Sequence, residues 1–404
     1  MKVYMAPCGI GLGHITRCEP IARRLAENGA DLFFSTYLDA VGYARKMGFR
    51  TVISIAIGFR VKQDGTVDFK QTAASKPGPF IGLYRFIRQV AGEIRNLKAY
   101  RPDVVFSDSR ASSIIAAKML GIPSVVMLNQ FKVNIIRGPT EGKPSILDQL
   151  FFLTANIMWV FIRTLIGGVW ALSRYILIPD LPSPYTISLS NLAIPRRYRS
   201  KVRLIGPLIS TGPEKLDDKS EVKRKLGFNP AKPLVYAAVS GPEVERKHLA
   251  EKLIEALSSF PEPYQTVLSR GEVNMADSSA QKGRLQVYSW IENQFQYLKA
   301  CDLLVARAGH GIIVKALAYG RPMILIPIPD HTEQYGNARR TVQLKVAEVI
   351  PQEGLNRSTL LDAVERMLSS KIYSEKALEI SRAISGLKAV ETAVGIVMDV
   401  AEHD

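Results

Sequence analysis

The chain has 404 residues, which predicts two or three domains, and 47% of them are apolar, enough to build sizeable cores. Three cysteines form no paired framework, which excludes a small disulfide-stabilised domain and favours a reducing compartment. The net charge is +16, with 28 Lys and Arg against 12 Asp and Glu in residues 1–205 and 25 of each in residues 206–404. We therefore expect the first half to meet a polyanion, unless the basic excess is only a solvated surface.

The chain begins with a predicted strand, Lys2 to Ala6, followed by a glycine-rich turn and a helix that ends at Asn28-Gly29. The turn, residues 9–14, reads GIGLGH and lacks the G-x-G-x-x-G spacing of a dinucleotide site. A second strand, Asp31 to Thr36, ends without an acidic residue for a ribose. A nicotinamide site is therefore not expected. The N-terminal residues are too weakly apolar for a signal peptide.

His14 stands at the end of this glycine turn, where an imidazole would face the cleft. Imidazole is the side chain best suited to remove a proton from a hydroxyl near neutral pH. His14 is therefore a candidate general base, with a structural histidine as the alternative. Gly11 and Gly13 give a substrate close access to the backbone of the same turn.

A third strand, Val104 to Phe106, ends at Ser107-Asp108 and leads into a helix over Ile114 to Leu120. From the residues alone, Asp108 or Ser109 is a candidate N-cap of that helix.

Residues 150–178 combine two tryptophans and two arginines with no acidic residue. The longest uncharged run, Leu150 to Ile162, has 13 residues, whereas a spanning helix needs about 20. The pattern therefore predicts an interfacial helix whose arginines reach lipid headgroups, with a buried pair of core helices as the alternative. Basic residues cluster again at 196–203, so the two regions form a predicted docking surface for a lipid-linked acceptor and an anionic membrane.

The second half follows a polar linker at residues 210–220 and contains two glycine turns that open helices. Ser240-Gly241 follows the predicted strand Leu234 to Val239, and Gly309-His310-Gly311 follows the strand Leu303 to Ala306. The first amides of a helix lack intrahelical partners and carry partial positive charge, so both turns are candidate phosphate sites.

A polar string after the next strand, Met323 to Ile328, includes Glu333, Gln334 and Asn337. Carboxylate and amide groups at the carboxyl end of a strand suit a ligand with several hydroxyls. A diphosphate at one turn and a sugar at the next describe a nucleotide-sugar. Asp-x-Asp does not occur, so we expect no metal-bridged diphosphate, and no metal site or cofactor is predicted.

These motifs resemble the B-type glycosyltransferases, in particular the MurG-like and UDP-glucuronosyltransferase-like branches. The resemblance rests on GHITRCEPIARRLA in the first turn and helix, PDVVFSD before the third turn, AGHG with GRPMILIP, and the D-H-x-E-Q-x-x-N-A string. It covers nearly the whole chain. It implies an α/β fold with two doubly wound, Rossmann-like domains facing each other across a cleft. The acceptor domain would be 1–205 and the donor domain 206–375, with a helix in 376–404 crossing back to the first.

The resemblance also implies roles for single residues. His14 would be the base on the acceptor hydroxyl, oriented by Asp108. The backbone near Ile291 would receive the nucleotide base. The remaining implied contacts of the donor are Gly309, His310 and Gly311 with the diphosphate, and Glu333 and Gln334 with sugar hydroxyls. Those families carry a ribose-binding Glu where this chain has Lys315, so the nucleotide is not predicted with the fold.

We therefore predict an inverting, metal-independent transfer of a sugar, with N-acetylglucosamine as the candidate, from a UDP-sugar to a prenyl-diphosphate-linked acceptor. This would place the protein near the chitobiose-forming transferases of N-glycan assembly, peripheral at the cytoplasmic face of the cell membrane, without a nucleic-acid partner. One alternative is a nucleotide-sugar 2-epimerase of the same fold, which would need no apolar basic surface. Another is a non-catalytic lipid- or nucleic-acid-binding protein, and nucleic-acid affinity would fall steeply with salt.

Overall fold

The computed structural model describes residues 1–57, 81–131, 164–273 and 278–403, together with the single positions 153, 157 and 160. Within these ranges the strands form two seven-stranded sheets, one in each half of the chain. The strands of the first sheet are β1 (Lys2–Pro7), β2 (Asp31–Thr36), β3 (Thr51–Ile53), β4 (Val104–Asp108), β5 (Ser124–Met127), β6 (Tyr175–Ile178) and β7 (Val202–Leu204). They are parallel and lie in the order β3-β2-β1-β4-β5-β6-β7.

Helices connect these strands and cover the sheet. They are α1 (Gly13–Glu27), α2 (Asp39–Lys46), α3 (Ile81–Tyr100), α4 (Ala111–Met119) and the short α5 (Leu189–Leu192). Residues 164–170 are also helical, and Arg196–Lys201 forms a 3-10 helix. On α1 the fully buried side chains recur at helical spacing, which fixes the face that packs on the sheet; they are Ile15, Cys18, Ile21 and Leu25.

The second sheet has the order β10-β11-β9-β8-β12-β13-β14 and is parallel except for β10. Its strands are β8 (Leu234–Ala238), β9 (Gln265–Ser269), β10 (Ser279–Lys282), β11 (Leu285–Tyr288), β12 (Leu303–Ala306), β13 (Met323–Leu325) and β14 (Ala347–Val349). The remaining helices are α6 (Lys219–Lys225), α7 (Glu243–Ser258), α8 (Gln294–Ala300), α9 (His310–Ala318), α10 (Thr332–Gln343), α11 (Arg357–Ser369), α12 (Lys371–Ile384) and α13 (Ala389–His403).

The central strands of both sheets are buried on both faces, as expected for parallel sheets covered by helices. The predicted α/β class with two doubly wound sheets is therefore confirmed. Each sheet reverses its strand order at one place, between β1 and β4 in the first and between β8 and β12 in the second. Ligands of open α/β sheets bind in the crevice outside the carboxyl ends of the strands at such a reversal.

The apolar segment 150–178 is not one helix. Its last four residues form β6, which pairs with β5 and β7, and Ile176, Leu177 and Ile178 are at most 1% exposed. The prediction that these residues face a membrane is therefore wrong, because a short apolar run does not by itself distinguish a buried strand from a helix. Among the helices of the described ranges, none combines the length and apolar character needed to cross a membrane.

The C-terminal region is also different from the single helix predicted for 376–404. Residues 376–384 belong to α12, whose buried Ala377, Ile380 and Ile384 pack against the second sheet. A break precedes α13, which packs on the first half beside α1. Its contact residues are Ala389, Ala393, Val394, Val397 and Val400. The helix that packs into the core of the first half is therefore α13.

Candidate active site

His14 and Asp108 meet at the strand reversal of the first sheet. Because β1 pairs with β4, and Pro7 lies opposite Asp108, the turn after β1 brings His14 over the end of β4. His14 Nδ1 lies 2.9 Å from Asp108 Oδ1. The imidazole is 22% exposed, whereas Asp108 is fully buried. This arrangement leaves the other ring nitrogen of His14 for a group in the cleft.

Arg17 is a third member of this site that the sequence analysis missed. Its guanidinium holds both carboxylate oxygens of Asp108, with Nε donating to Oδ2 at 2.5 Å and Nη2 donating to Oδ1. Arg17 Nη2 also lies 3.1 Å from His14 Nδ1. The signal was the spacing, because residues three apart on a helix share a face.

Charge and burial oppose each other at Asp108. Burial alone would raise the pKa of the carboxyl, but the Arg17 guanidinium and His14 outweigh it and hold this pKa well below its usual range. Asp108 is therefore ionised at neutral pH. It does not cap α4, whose N-cap is Arg110 and has no side-chain cap, so the N-cap alternative is wrong.

The glycine turns of the two halves touch each other. A Cβ atom added at Gly11 would lie 3.6 Å from the backbone carbon of Gly241. At Gly241, φ is +134°, and a Cβ atom would collide with the Glu245 carboxylate, so only glycine fits there. Ser240 and Gly241 lead into α7, whose N-cap Pro242 provides no side-chain cap. This leaves first-turn amides of α7 without a side-chain partner beside the first-half turn.

The turn at α9 is open around its glycines. Gly309 is the N-cap, with no side-chain cap, and nothing lies within 4 Å of a Cβ atom added at Gly309 or Gly311. The His310 side chain turns away from this space. It is 3% exposed, and its Nε2 lies 3.3 Å from Oδ1 of Asp180 in the first half. Any contact of His310 with a diphosphate is therefore through its backbone, not through its imidazole.

Asp180 is itself tightly held. It accepts hydrogen bonds from the backbone of Leu181, Ile187 and Ser188 and from the Ser188 hydroxyl. Burial opposes its ionisation, but His310 and these donors keep the pKa of Asp180 well below its usual range. An ionised carboxylate of the first half thus meets the second half at the start of α9.

The three polar side chains predicted at α10 lie in three different environments. Glu333 is half-buried and accepts a hydrogen bond from Asn129 Nδ2 at 2.7 Å, across the two halves. The side-chain carbonyl oxygen of Gln334 accepts a hydrogen bond from the Ile328 amide at 3.0 Å, which fixes the orientation of the Gln334 amide group. Asn337 is fully buried and donates to the Ala308 carbonyl at 3.1 Å.

Asn337 is therefore a support of the α9 turn, and its predicted direct contact with a sugar is not the arrangement the structure shows. Its Oδ1 also lies 3.4 Å from Asn191 Nδ2. The sequence analysis did not identify Asn129 and Asn191 of the first half. Their partners, Glu333 and Asn337, are about 150 to 200 positions away, and no local pattern links residues so far apart.

Ile291 follows β11, and Lys315 lies on α9. Ile291 is 7% exposed and belongs to the core of the second half, so only its backbone is available to a nucleotide base. Lys315 is also 7% exposed. Within the described residues, His, Cys, Asp and Glu side chains form no group of three or more that could hold a metal ion.

Comparison with known families places a recognised domain on the second half. Residues 230–390 match the glycosyltransferase family 28 C-terminal domain. Over 408 residues the chain is 25% identical to an uncharacterized glycosyltransferase from Methanosarcina mazei, covering 96% of this chain and 97% of the relative.

A shorter similarity involves a characterised activity. The chain is 26% identical over 195 residues to a UDP-N-acetylglucosamine–N-acetylmuramyl-(pentapeptide) pyrophosphoryl-undecaprenol N-acetylglucosamine transferase from Lactobacillus acidophilus, covering 46% of this chain and 52% of that protein. Among solved structures, the glycotransferase of kitacinnamycin has a TM-score of 0.66 at 16% identity, covering 99% of this chain and 98% of that one.

These similarities establish the fold. Residues 230–390 of the second half are similar to the glycosyltransferase family 28 C-terminal domain, and the whole chain has the two-sheet fold of B-type glycosyltransferases. The site described above lies where the two strand reversals face each other.

Proposed function

We propose that this protein transfers a sugar from a nucleotide-sugar held by the second half to a hydroxyl of an acceptor held over the first half. One observation carries the proposal. An imidazole hydrogen-bonded to a buried, ionised carboxylate stands in the cleft of a glycosyltransferase fold, with the uncapped first turn of α9 in the other half. We assign the acceptor domain to residues 1–205 and the donor domain to 206–384, with α13 completing the first.

His14 is the general base in this proposal. When its Nδ1–H donates to Asp108, Nε2 takes the proton from the acceptor hydroxyl, and the carboxylate stabilises the imidazolium that forms. The acceptor oxygen then attacks the anomeric carbon while the bond to the diphosphate breaks. Attack from the face opposite the departing nucleoside diphosphate inverts the configuration.

Helix N-termini stabilise the leaving group. The first turns of α7 and α9 begin at glycine-bearing loops without side-chain caps, so their amides are available to diphosphate oxygens. Such amides are oriented before the reaction and face the charge that develops on the leaving oxygen. This supply of positive charge is the basis for a transfer that needs no metal ion.

Glu333 is the donor-sugar contact that best fits the geometry. It is half-buried at the start of α10, and its Oε1 already holds Asn129. A carboxylate in this position accepts hydrogen bonds from sugar hydroxyls. N-acetylglucosamine linked to UDP is the first donor to test, because the Lactobacillus acidophilus relative is named for that transfer.

We propose a lipid-linked acceptor because the first half exposes apolar side chains together with arginines. Apolar side chains at helical positions 153, 157 and 160 are 60%, 64% and 46% exposed. In the same half, the 3-10 helix with exposed Arg196, Arg197 and Arg199 packs against the segment around Trp170, with Lys201 donating to the Ala171 and Ser173 carbonyls. The described residues offer these arginines no carboxylate partner.

Exposed apolar side chains and exposed arginines in the same half suit an anionic membrane. We therefore place the protein at the cytoplasmic face of the cell membrane, where a prenyl-diphosphate-linked sugar would present its hydroxyl to His14. The diphosphate of such an acceptor adds negative charge to the same surface.

A transfer assay tests the function. Purified protein is mixed with radiolabelled nucleotide-sugars, UDP-N-acetylglucosamine first, and a lipid extract of the host, and label is counted in the organic phase. We expect label to move to lipid, and His14→Ala to lower the rate by roughly 10²–10⁴-fold, the usual contribution of a general base. The matched control is His403→Ala, because His403 lies at the exposed end of α13.

Each other outcome has a definite meaning. Near-normal transfer by His14→Ala contradicts the base assignment. Consumption of the donor without label in lipid contradicts the lipid-linked acceptor and favours a soluble acceptor or the epimerase. Failure to consume any nucleotide-sugar contradicts the transferase proposal.

A further inference from the structure

Lys315 is a buried cation on the cleft side of α9. It lies five residues after His310, so its Cα is about 7.5 Å along the helix axis from the first residue. Positions 311, 312 and 315 share a helix face, and Gly311 and Ile312 on that face are partly exposed. Because side chains on a helix lean towards its N-terminus, the ammonium of Lys315 is within reach of the open turn at Gly309.

The ammonium of Lys315 has no partner in the described parts of the chain. It makes no hydrogen bond and no ion pair there, although the residue is only 7% exposed. Its one notable contact is the Phe295 ring, whose centroid lies 5.6 Å from Nζ. Burying a charge without a partner is costly, so an unpartnered ammonium beside a helix N-terminus indicates an anionic ligand.

The charged groups around Lys315 do not supply that anion. From α1, Glu19 faces it at longer range, but its carboxylate is already held by Arg23 Nε at 2.7 Å and by the Tyr43 hydroxyl. From α8, the neighbour is the Phe295 ring, which stacks on Tyr319.

We propose that Lys315 is the charge partner of the donor diphosphate, its ammonium binding a phosphate oxygen of the nucleoside diphosphate held at the first turn of α9. The inference rests on the proposed function. An ammonium only donates hydrogen bonds and carries positive charge, so it complements a phosphate better than the hydroxyls of a ribose, which a carboxylate at this position would accept.

Protonation of Lys315 follows from the same geometry. Burial lowers the pKa of Lys315 to about 8, against a small opposing effect of Glu19. The ammonium is thus present at neutral pH, and a bound phosphate favours it further. Diphosphate binding is expected to be strongest below pH 8 and to weaken as the pH rises through this range.

Calorimetric titration tests the inference. The probes are UDP, uridine and inorganic pyrophosphate, with the thymidine, guanosine and adenosine diphosphates alongside, each at pH 7 and 8.5. The proteins are the wild type, Lys315→Met, Lys315→Gln and Lys371→Met. The last removes the same charge from an exposed position at the start of α12.

We expect Lys315→Met to weaken the binding of diphosphates and pyrophosphate at least tenfold at pH 7, and to leave uridine unchanged. The loss of affinity between pH 7 and 8.5 should disappear in Lys315→Met and persist in Lys371→Met. Thermal melting checks that the variants are folded, and Lys315→Gln, which keeps a hydrogen-bond donor without the charge, should behave as Lys315→Met does.

Equal weakening of UDP and uridine overturns the inference, because the ammonium then contacts the nucleoside. Unchanged diphosphate and pyrophosphate binding in Lys315→Met also overturns it. If the wild type binds pyrophosphate through Lys315 but no nucleoside diphosphate, Lys315 is still a phosphate ligand, and the proposed nucleotide-sugar donor fails. If neither binds, both fail.

Discussion

At the scale of single residues, the buried charge at the candidate base is paired with groups of opposite or matching polarity. Asp108 is fully buried. Its carboxylate stays ionised because Arg17 donates hydrogen bonds to both of its oxygens and His14 lies within hydrogen-bond distance of one of them. This makes Arg17 as important to the geometry as the pair predicted from the sequence. Lys315 differs from all of them, since it is the buried charge left without a partner among the described residues.

Replacing Arg17 by Met should destabilise the protein by about 3–5 kcal/mol at neutral pH, because it leaves a buried carboxylate with a weaker partner. Asp108 has a folded-state pKa below its unfolded value, so its contribution to stability is present above the unfolded pKa and is lost as pH falls through the folded one. Without Arg17 the folded pKa rises. Acid unfolding followed by circular dichroism should therefore begin at higher pH.

The control for this prediction is Arg17→Lys, which keeps the charge but loses the two-pronged hydrogen bonding. It should fall between the wild type and Arg17→Met. An unchanged acid-unfolding midpoint in Arg17→Met would show that Arg17 does not stabilise the Asp108 carboxylate.

Replacing Lys315 by Met should have the opposite effect on stability. The folded pKa of about 8 is below the unfolded value, so the unfolded state binds more protons between these values and wild-type stability rises with pH there. At pH 7 the variant escapes this cost and should be more stable by something on the order of 3 kcal/mol. Denaturant unfolding at pH 7 and 9.5 measures both effects, and a less stable variant at pH 7 would contradict the buried-charge assignment.

At the scale of elements, residues 150–178 show that neighbouring parts of one apolar segment can differ in structure and in exposure. The end of this segment is the buried strand β6, whereas the helical positions 153, 157 and 160 expose their side chains. The same apolar composition therefore forms a buried strand in one part of the segment and an exposed surface in another. Residues 175–178 are buried because they pair with β5 and β7, and the local sequence pattern does not show this pairing.

Changing Leu153, Ile157 and Val160 to Ser should release the protein from vesicles containing anionic lipid. The melting temperature should stay within about a degree or two, because substitutions at exposed positions usually change stability by less than about 0.5 kcal/mol. Co-sedimentation with vesicles measures the first effect. The control is Val342→Ser, since Val342 is 47% exposed on α10 in the second half.

Aggregation or a strongly lowered melting temperature in the triple variant would contradict this prediction. Those side chains would then be part of a core, the alternative that the composition left open.

At the scale of the whole molecule, the two halves are joined by polar contacts at the cleft and by the return of the C-terminus. Asn129 and Asn191 hold α10, Asp180 holds His310, and α13 completes the core of the first half. The site is thus assembled by residues from opposite ends of the chain.

Replacing Val397 by Asp tests this arrangement. Val397 is fully buried on α13 against the first half, so a carboxylate there should cost several kcal/mol. Limited proteolysis should cut the N-terminal half first, although the change is near the C-terminus. The control is Leu378→Asp on α12, which is 42% exposed and should be tolerated. Earlier cutting in the second half would contradict the assignment of α13 to the first.

The sequence by itself determined the fold class, the glycine turns and the positions of His14 and Asp108. The glycine turns and the candidate base His14 follow from local patterns, since an apolar run, a glycine turn and a helical period are each contained within about 15 residues. The two-domain fold and the pairing of Asp108 with His14 were implied by the resemblance to B-type glycosyltransferases. Only the tertiary structure decided that Arg17 binds Asp108, that Asn337 is buried behind the α9 turn, that His310 faces Asp180, and that β6 is core. The reason is physical, because burial and partner choice depend on which distant segments the two sheets bring together at their edges.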